Sequence, residues 1–309
     1  MKIYNSVEDV IGNTPLIKLN KLSEGLYANI LVKLESNNPA GSVKDRLAVA
    51  MINDAEKQGL ISETTEIIEP TSGNTGVGLA MVCAVRNYKL TIVMSESMSM
   101  ERRNLLQAYG VNLVLTSADK GMIGAIEKAK QLASENRNSF IPYQFSNKAN
   151  AEIHKNTTAI EIWEQTNGNI DFFVAGVGTG GTFTGVSSKL KELNSNIKCI
   201  AVEPETSAVL SGEKSGLHKI QGIGAGFIPD VMNTLLIDDI ITVSDDQAFE
   251  NSRKLVQTEG ILSGISAGAN IYAAIQIAKK KENIGKIIIT IIPDTGERYL
   301  STSLFNTNI

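Results

Sequence analysis

Glu66-Ile67-Ile68-Glu69-Pro70-Thr71-Ser72-Gly73-Asn74-Thr75-Gly76 starts as a strand-like apolar run and passes through a tight polar loop. It then leads into Val77, Leu79, Ala80, Val82 and Cys83, which recur at helix spacing. A strand, a short loop and a helix start, in that order, form the repeating unit of an α/β fold. The loop holds more Thr, Ser, Asn and Gly than a cap needs. Backbone N–H groups and short hydroxyls gathered at a helix start suit a carboxylate or a phosphate. The plainer alternative is a turn whose Ser and Thr cap the helix.

The arrangement recurs. Phe172-Phe173-Val174-Ala175 reads as a strand, and Gly176-Val177-Gly178-Thr179-Gly180-Gly181-Thr182 follows it and opens a second helix. Glycines let backbone approach an anion closely, and Thr179 and Thr182 offer hydroxyls to phosphate oxygens. Gly176, Gly178 and Gly181 also fit the dinucleotide fingerprint, with Glu203 at the end of the next strand, Cys199-Ile200-Ala201-Val202-Glu203. A nicotinamide-dependent dehydrogenase is therefore a competing reading, which leaves the other motifs without a role.

A third motif is Asn38-Pro39-Ala40-Gly41-Ser42-Val43-Lys44-Asp45-Arg46. Its loop residues give way to Leu47, Ala48, Met51 and Ala55 at helix spacing, up to Gly59. Lys44 thus lies at a helix start, where a cation is disfavoured and the neutral amine favoured. A neutral amine can act as a nucleophile or Schiff-base partner.

Other apolar runs fall at Ile30 to Leu34, Thr91 to Met94, Leu113 to Leu115 and Lys286 to Ile292, with helical patterns between them. Alternating strands and helices imply parallel sheets covered on both faces. A chain of 309 residues with 42% apolar content can bury one large core or two smaller ones. The net charge of −4 and pI near 5.4 argue against a nucleic-acid partner. No apolar run reaches membrane-spanning length, and Met1-Lys2-Ile3-Tyr4-Asn5 carries no signal-peptide core, so a cytoplasmic enzyme is expected. Cys83 and Cys199 read as small buried hydrophobes, and His154 and His218 as structural residues, leaving no metal site.

Together the three motifs resemble the fold-type-II pyridoxal-phosphate enzymes, and within them the cysteine synthases (O-acetylserine sulfhydrylases). Pro39 to Arg46 matches the family's cofactor-lysine run, Thr71 to Gly76 its substrate-carboxylate loop, and Gly178 to Thr182 its phosphate cradle. Gly264-Ile265-Ser266-Ala267-Gly268 matches the stretch that supplies a serine to the pyridine nitrogen. The likeness also takes in Ile11 to Leu16, Met98-Ser99, Glu101 to Arg103, His218 to Phe227 and Gly296 to Ser301, which is nearly the whole chain.

The resemblance implies pyridoxal 5'-phosphate as cofactor and two α/β domains, each a mostly parallel twisted sheet covered by helices. The smaller, 35–147, would carry the substrate loop and a mobile part; the larger, 1–34 with 148–309, would bind the cofactor phosphate. Lys44 would be the Schiff-base and proton-transfer residue, with Asn74 on the ring oxygen and Gly178, Thr179, Gly180, Gly181 and Thr182 around the phosphate. Ser266 would face the ring nitrogen, and Thr71, Ser72, Gly73, Asn74, Thr75 and Gln144 would grip the substrate carboxylate.

The implied reaction is β-replacement through an α-aminoacrylate, turning O-acetylserine and sulfide into cysteine and acetate. With cysteine as first substrate, sulfide would leave and serine, lanthionine or cystathionine would form. Asp230, near Ala225, Gly226 and Phe227, is a candidate for activating the second substrate, against the commoner reading as a solvated loop aspartate. A homodimer and capture of the C-terminal tail of serine acetyltransferase are also implied. Two departures from the family pattern stand out. Asn147-Lys148-Ala149-Asn150-Ala151 lacks two usual prolines, so a less stiff loop is expected, and Ala159-Ile160 replaces a usual Gly-Pro.

Overall fold

The structure, a computed structural model, describes residues 3–98 and 100–306; Ser99 of the Met98-Ser99 match lies outside the described residues, as do the chain's first two and last three. The strands in chain order are β1 (Leu16–Lys18), β2 (Asn29–Leu34), β3 (Glu66–Pro70), β4 (Lys89–Ser95), β5 (Asn112–Thr116), β6 (Ser139–Phe140), β7 (Phe172–Gly176), β8 (Lys198–Pro204), β9 (Asp239–Val243) and β10 (Ile287–Ile292). The α-helices are α1 (Lys44–Lys57), α2 (Asn74–Arg86), α3 (Met100–Ala108), α4 (Gly121–Glu135), α5 (Ala149–Ile153), α6 (Ala159–Gln165), α7 (Gly181–Leu193), α8 (Asp245–Glu259) and α9 (Ile265–Ala278). The fold is α/β, as the alternating pattern predicts.

The described residues divide into two compact units. One joins the residues up to Ile11 with Asn38–Ala149; the other joins Gly12–Asn37 with Asn150 onward. The expected boundaries, 1–34 and 35–147, differ from this at the N-terminal end. Residues before Gly12 join the first unit because Glu8 pairs with Arg86 of α2 at 2.8 Å and Ile11 packs on that unit's core. Residues 35–37 join the second, where Glu35 accepts the Thr14 hydroxyl at 2.7 Å.

The first unit is a four-stranded parallel sheet in the order β5-β4-β3-β6. Strand alternation sorts its side chains onto two faces. Ile67, Leu90, Ile92 and Met94 join a core with α1 and α2, whereas Ile68 and Val93 pack with Ala125 and Ala129 of α4.

The second unit is a six-stranded sheet in the order β1-β2-β10-β7-β8-β9, parallel except for the β1–β2 pair. Ile30, Val32, Val174, Ile200, Val202, Ile288 and Ile292 face one core, with α9. Phe173, Ala175, Cys199, Ala201, Ile289 and Ile291 face the other, with Phe183 and Val186 of α7. Both faces are buried, as a sheet with helical crossovers requires.

Both cysteines are buried and free, as expected. Burial pushes the Cys83 thiol up to about 12 and raises that of Cys199 as well. The thiolate is the reactive form. Native protein should therefore resist an aromatic disulfide reagent at neutral pH, whereas the guanidinium-unfolded chain should titrate both thiols. Rapid reaction of either in the native state would contradict the packing described.

Candidate active site

Lys44 is the first residue of α1 and is half-buried. Val43, the residue flanking that helix, makes no side-chain cap; the loop before it is tied down by Asp45 and Ser42. One oxygen of the fully buried Asp45 accepts the Ala40 N–H at 2.6 Å, and the other accepts the Ser42 hydroxyl at 3.2 Å. Ser42 Oγ in turn accepts the N–H of Lys44 at 3.2 Å. The neighbour of the lysine thus folds the Pro39–Ser42 loop back on the helix start, which sets where the Lys44 side chain leaves the backbone.

The Thr71–Thr75 loop joins β3 to α2. The residue flanking α2 is Gly73, and no side chain caps the helix, so the capping alternative fails. The hydroxyls serve the loop itself. Thr71 Oγ1 accepts the Gly73 N–H at 3.3 Å, and the Thr75 hydroxyl donates to Gln144 Oε1 at 2.7 Å. Gln144 is thereby brought to the loop across 69 residues of sequence. Arg102 of α3 donates to the Ser72 carbonyl at 2.9 Å.

Beneath this loop sits Glu69, whose importance no sequence signal marked beyond its place in the strand. It is 2% exposed. Hydrogen bonding from the backbones of Tyr143 and Gln144 and from the Gln144 side chain pulls its pKa down, while its Oε2 has no partner. Tyr143 has φ 54°, in the left-handed region, a strained setting for a bulky residue that turns two consecutive N–H groups onto one acceptor. Three donors favour the carboxylate, but complete burial outweighs them and raises the pKa to about 8. Glu69 is therefore a neutral acid over most of the ordinary pH range, and it holds the Gln144 amide with its carbonyl toward Thr75.

In the second unit, the Gly176–Thr182 segment joins β7 to α7. Gly180, at φ 82°, flanks the helix, again without a side-chain cap. The backbones here meet closely. A Cβ on Gly178 would lie 2.2 Å from the Gly222 carbonyl oxygen, and one on Gly181 would lie 1.9 Å from Asn150 Oδ1. Asn270 of α9 accepts the Gly176 N–H at 2.7 Å and donates to the Ile291 carbonyl at 2.8 Å, tying α9 to the ends of β7 and β10.

Ser266, one turn earlier on α9, is buried with its Oγ facing Gly222, 3.7 Å from where a Cβ there would stand. The Gly224 N–H donates to the Val177 carbonyl, and His218 Nε2 donates to the Gly224 carbonyl, each at 2.9 Å. The His218–Phe227 run is thus laid against the cradle, with His218 in the structural role expected of it.

Asp230 is exposed, while Met232, two residues on, packs against Gly180. Glu203 is not free for a ribose. Its oxygens accept from the N–H groups of Leu210 and Ser211 and from the Ser211 hydroxyl, at 2.8, 3.0 and 2.6 Å. At the departures from the family pattern, the Asn147 side chain accepts the Ala149 N–H and donates to the Pro142 carbonyl. The Ala159-Ile160 pair begins α6 directly after a π-helical turn, His154–Thr158, which itself follows α5. Among the described residues no group of His, Cys, Asp and Glu could hold a metal ion.

A family profile described as pyridoxal-phosphate-dependent enzyme matches residues 7–294. The chain belongs to that family. Cysteine synthase of Staphylococcus aureus is 53% identical to this pyridoxal-phosphate enzyme over 306 residues, covering 99% of this chain and 98% of the relative. Among solved structures, cysteine synthase of Entamoeba histolytica superposes with a TM-score of 0.96 at 46% identity, over 98% of this chain and 91% of the other. A hydrogen sulfide-producing enzyme of Fusobacterium nucleatum superposes with a TM-score of 0.93 at 49% identity, over 97% and 99%. The dehydrogenase reading of Gly176 to Gly181 is thereby set aside, and the fold is the two-sheet α/β arrangement of fold type II.

The raised pKa of Glu69 has a consequence for stability. Its ordinary value is 4.5, and in the folded chain it holds a proton to about 8. The stability it contributes is fully present below the ordinary value and is lost as pH rises through about 8. Glu69→Gln, neutral throughout, should melt progressively higher than the native chain as pH rises from about 5 to about 9. Parallel pH profiles of Tm for the two proteins would refute the assignment.

Proposed function

We propose that this enzyme carries out β-replacement on O-acetylserine, exchanging the acetoxy group for sulfide to give cysteine and acetate. The observation that carries the reading is the 53% identity to a cysteine synthase over 99% of the chain. The cradle fits the cofactor's phosphate. Gly178 and Gly181 leave no room for a side chain, and the residue flanking α7 is Gly180, so beyond the long contact of the Gly181 N–H with Thr179 Oγ1 the N–H groups and positive dipole end of the helix favour an anion.

In this proposal Gly178, Thr179, Gly180, Gly181 and Thr182 hold the phosphate, Asn74 bonds the ring oxygen, and Ser266 meets the ring nitrogen. The domain roles follow: the unit with the substrate loop receives the amino acid, and the larger unit retains the phosphate. Pyridoxal phosphate, when bound, supplies an electron sink for charge developing at the substrate's α-carbon. A serine at the ring nitrogen, being a neutral hydroxyl, does not hold a proton there as a carboxylate would. That favours elimination and replacement over transamination.

Thr71, Ser72, Gly73, Asn74, Thr75 and Gln144 bind the substrate carboxylate. The Thr75 hydroxyl donates to Gln144 at rest, so Thr75 is oriented before substrate arrives. Lys44 Nζ anchors the cofactor, takes the α-proton and returns it after the new bond forms. The Cβ–O bond breaks with acetate leaving, and the sulfide sulfur bonds to Cβ. Closing the loop over the site excludes water, which would otherwise divert the substrate to pyruvate and ammonia.

A second reading takes cysteine as the first substrate and releases sulfide, with serine, lanthionine or cystathionine as product. It is supported by the 49% identity to a hydrogen sulfide-producing enzyme. The two differ by contacts worth about 1–3 kcal/mol each. Activation of the second substrate by Asp230, assembly as a homodimer, docking of the serine acetyltransferase tail and a cytoplasmic location are parts of the same proposal. Among the described residues no helix is long and apolar enough to cross a membrane.

Purified protein should absorb in the visible, change colour with O-acetylserine and recover on adding sulfide, with cysteine formed. Lys44→Ala should lower the rate by roughly 10²–10⁴-fold or more. A colourless protein that ignores added pyridoxal phosphate would overturn the reading. Faster turnover of cysteine than of O-acetylserine would transfer it to the sulfide-releasing direction. Asp230→Asn should slow the second-substrate step alone, and unchanged rates with every thiol would remove Asp230 from the proposal.

A further inference from the structure

Asn150 and His154 lie four residues apart, on α5 and at the start of the π-helical turn, and both are 1% exposed. Each reaches a threonine of the cradle. Asn150 Nδ2 donates to Thr179 Oγ1 at 2.9 Å, and His154 Nε2 stands 3.2 Å from Thr182 Oγ1. The far side of the imidazole is held too, with Nδ1 2.9 Å from the hydroxyl of the fully buried Thr158.

Two glycines one turn apart on α7 receive this segment. A Cβ on Gly181 would overlap Asn150, and one on Gly185 would stand 2.1 Å from the Ala151 carbonyl oxygen and 2.8 Å from His154 Cβ. Backbone contact this close leaves the two side chains little freedom.

A hydroxyl has one proton to give and two lone pairs to receive. Thr179 Oγ1 receives from Asn150 and also, at 3.5 Å, from the Gly181 N–H. With both lone pairs engaged, its own proton is directed elsewhere. For Thr182 the outcome depends on the imidazole. A proton on Nε2 donates to Thr182 Oγ1 and leaves the Thr182 proton for an outside acceptor, and Nδ1 then accepts from Thr158. A bare Nε2 would take the Thr182 proton for itself.

We propose that Asn150 and His154 are positioning residues that make donors of the Thr179 and Thr182 hydroxyls toward the bound phosphate. This rests on the reading of Gly178–Thr182 as the cofactor's phosphate cradle. The two residues act through the threonines and never touch the reacting atoms. The π-helical turn belongs to the device, because it begins at His154 itself; such turns recur at functional sites.

The test compares cofactor-depleted full-length protein titrated with pyridoxal phosphate and with pyridoxal, which lacks the phosphate. Asn150→Ala and His154→Gln should each weaken pyridoxal phosphate binding roughly 10- to 100-fold, as expected for losing support to a bond with a charged group, and should leave pyridoxal affinity unchanged. Equal loss for both ligands would mark a structural effect and overturn the proposal. Thr182→Val separates the two levels. If it weakens pyridoxal phosphate binding and the Asn150 and His154 variants do not, this inference fails alone; if none of the three matters, the cradle reading fails with it.

A second measurement needs no variant at position 154. The chain has two histidines, so the ring nitrogens of His154 can be followed by NMR in the holoenzyme, with His218→Gln identifying the other set. A proton on Nε2 is expected, and a bare Nε2 would overturn the role assigned to His154.

Discussion

A strand in a parallel sheet must be followed by a return crossing, and in this chain helices make most of those returns. Each such crossing leaves a helix N-terminus beside the carboxyl end of a strand. Both units obey this constraint. In the first, β3 runs through Thr71–Gly73 into α2; in the second, β7 runs through Val177–Gly180 into α7. The two loops use the same device, a helix start flanked by a glycine and presented with short hydroxyls. Within each unit, side chains from outside the loop tie it down: Gln144 and Arg102 in the first, Asn150 and His154 in the second.

The supporting groups are buried and polar, and each is hydrogen-bonded in a specific direction, though Glu69 Oε2 has no partner. Glu69 is the sharpest case. Burial keeps it protonated to about 8 against the pull of three donors, so it holds the Gln144 amide without placing a full negative charge under a loop proposed to bind a carboxylate. Asn150 and His154 do the corresponding work under the other loop, where donors and lone pairs have to be apportioned among hydroxyls. A buried polar network of this kind orients groups more than it stabilises the fold, because each member would cost free energy if left unmatched.

Much of the fold was legible because its strands are apolar runs bounded by turn residues. Those at Ile30, Glu66, Thr91, Leu113, Phe172, Cys199 and Lys286 all became strands within a residue or two. β1 and β6, of three and two residues, carry too little pattern to be read ahead of the structure, whereas β9 was missed although Ile240 to Val243 is a mostly apolar, β-branched run. The allocation of residues before Gly12 was missed for another reason. It depends on Glu8 meeting Arg86, a pairing between distant positions with no periodicity behind it.

The sequence by itself determined the candidate carriers of the chemistry: a lysine at a helix start, a Thr/Ser/Asn loop and a glycine-threonine loop proposed as a phosphate cradle, each a local pattern whose meaning is set by neighbouring residues. Only tertiary structure decided what stands behind them. Glu69 looks like any strand residue until folding closes Tyr143 and Gln144 over it, and His154 looks structural until its imidazole meets Thr182. Local pattern reports which backbone groups a helix start will offer. Burial and the direction of a hydrogen bond are properties of residues far apart in sequence, and they exist only once the chain has packed.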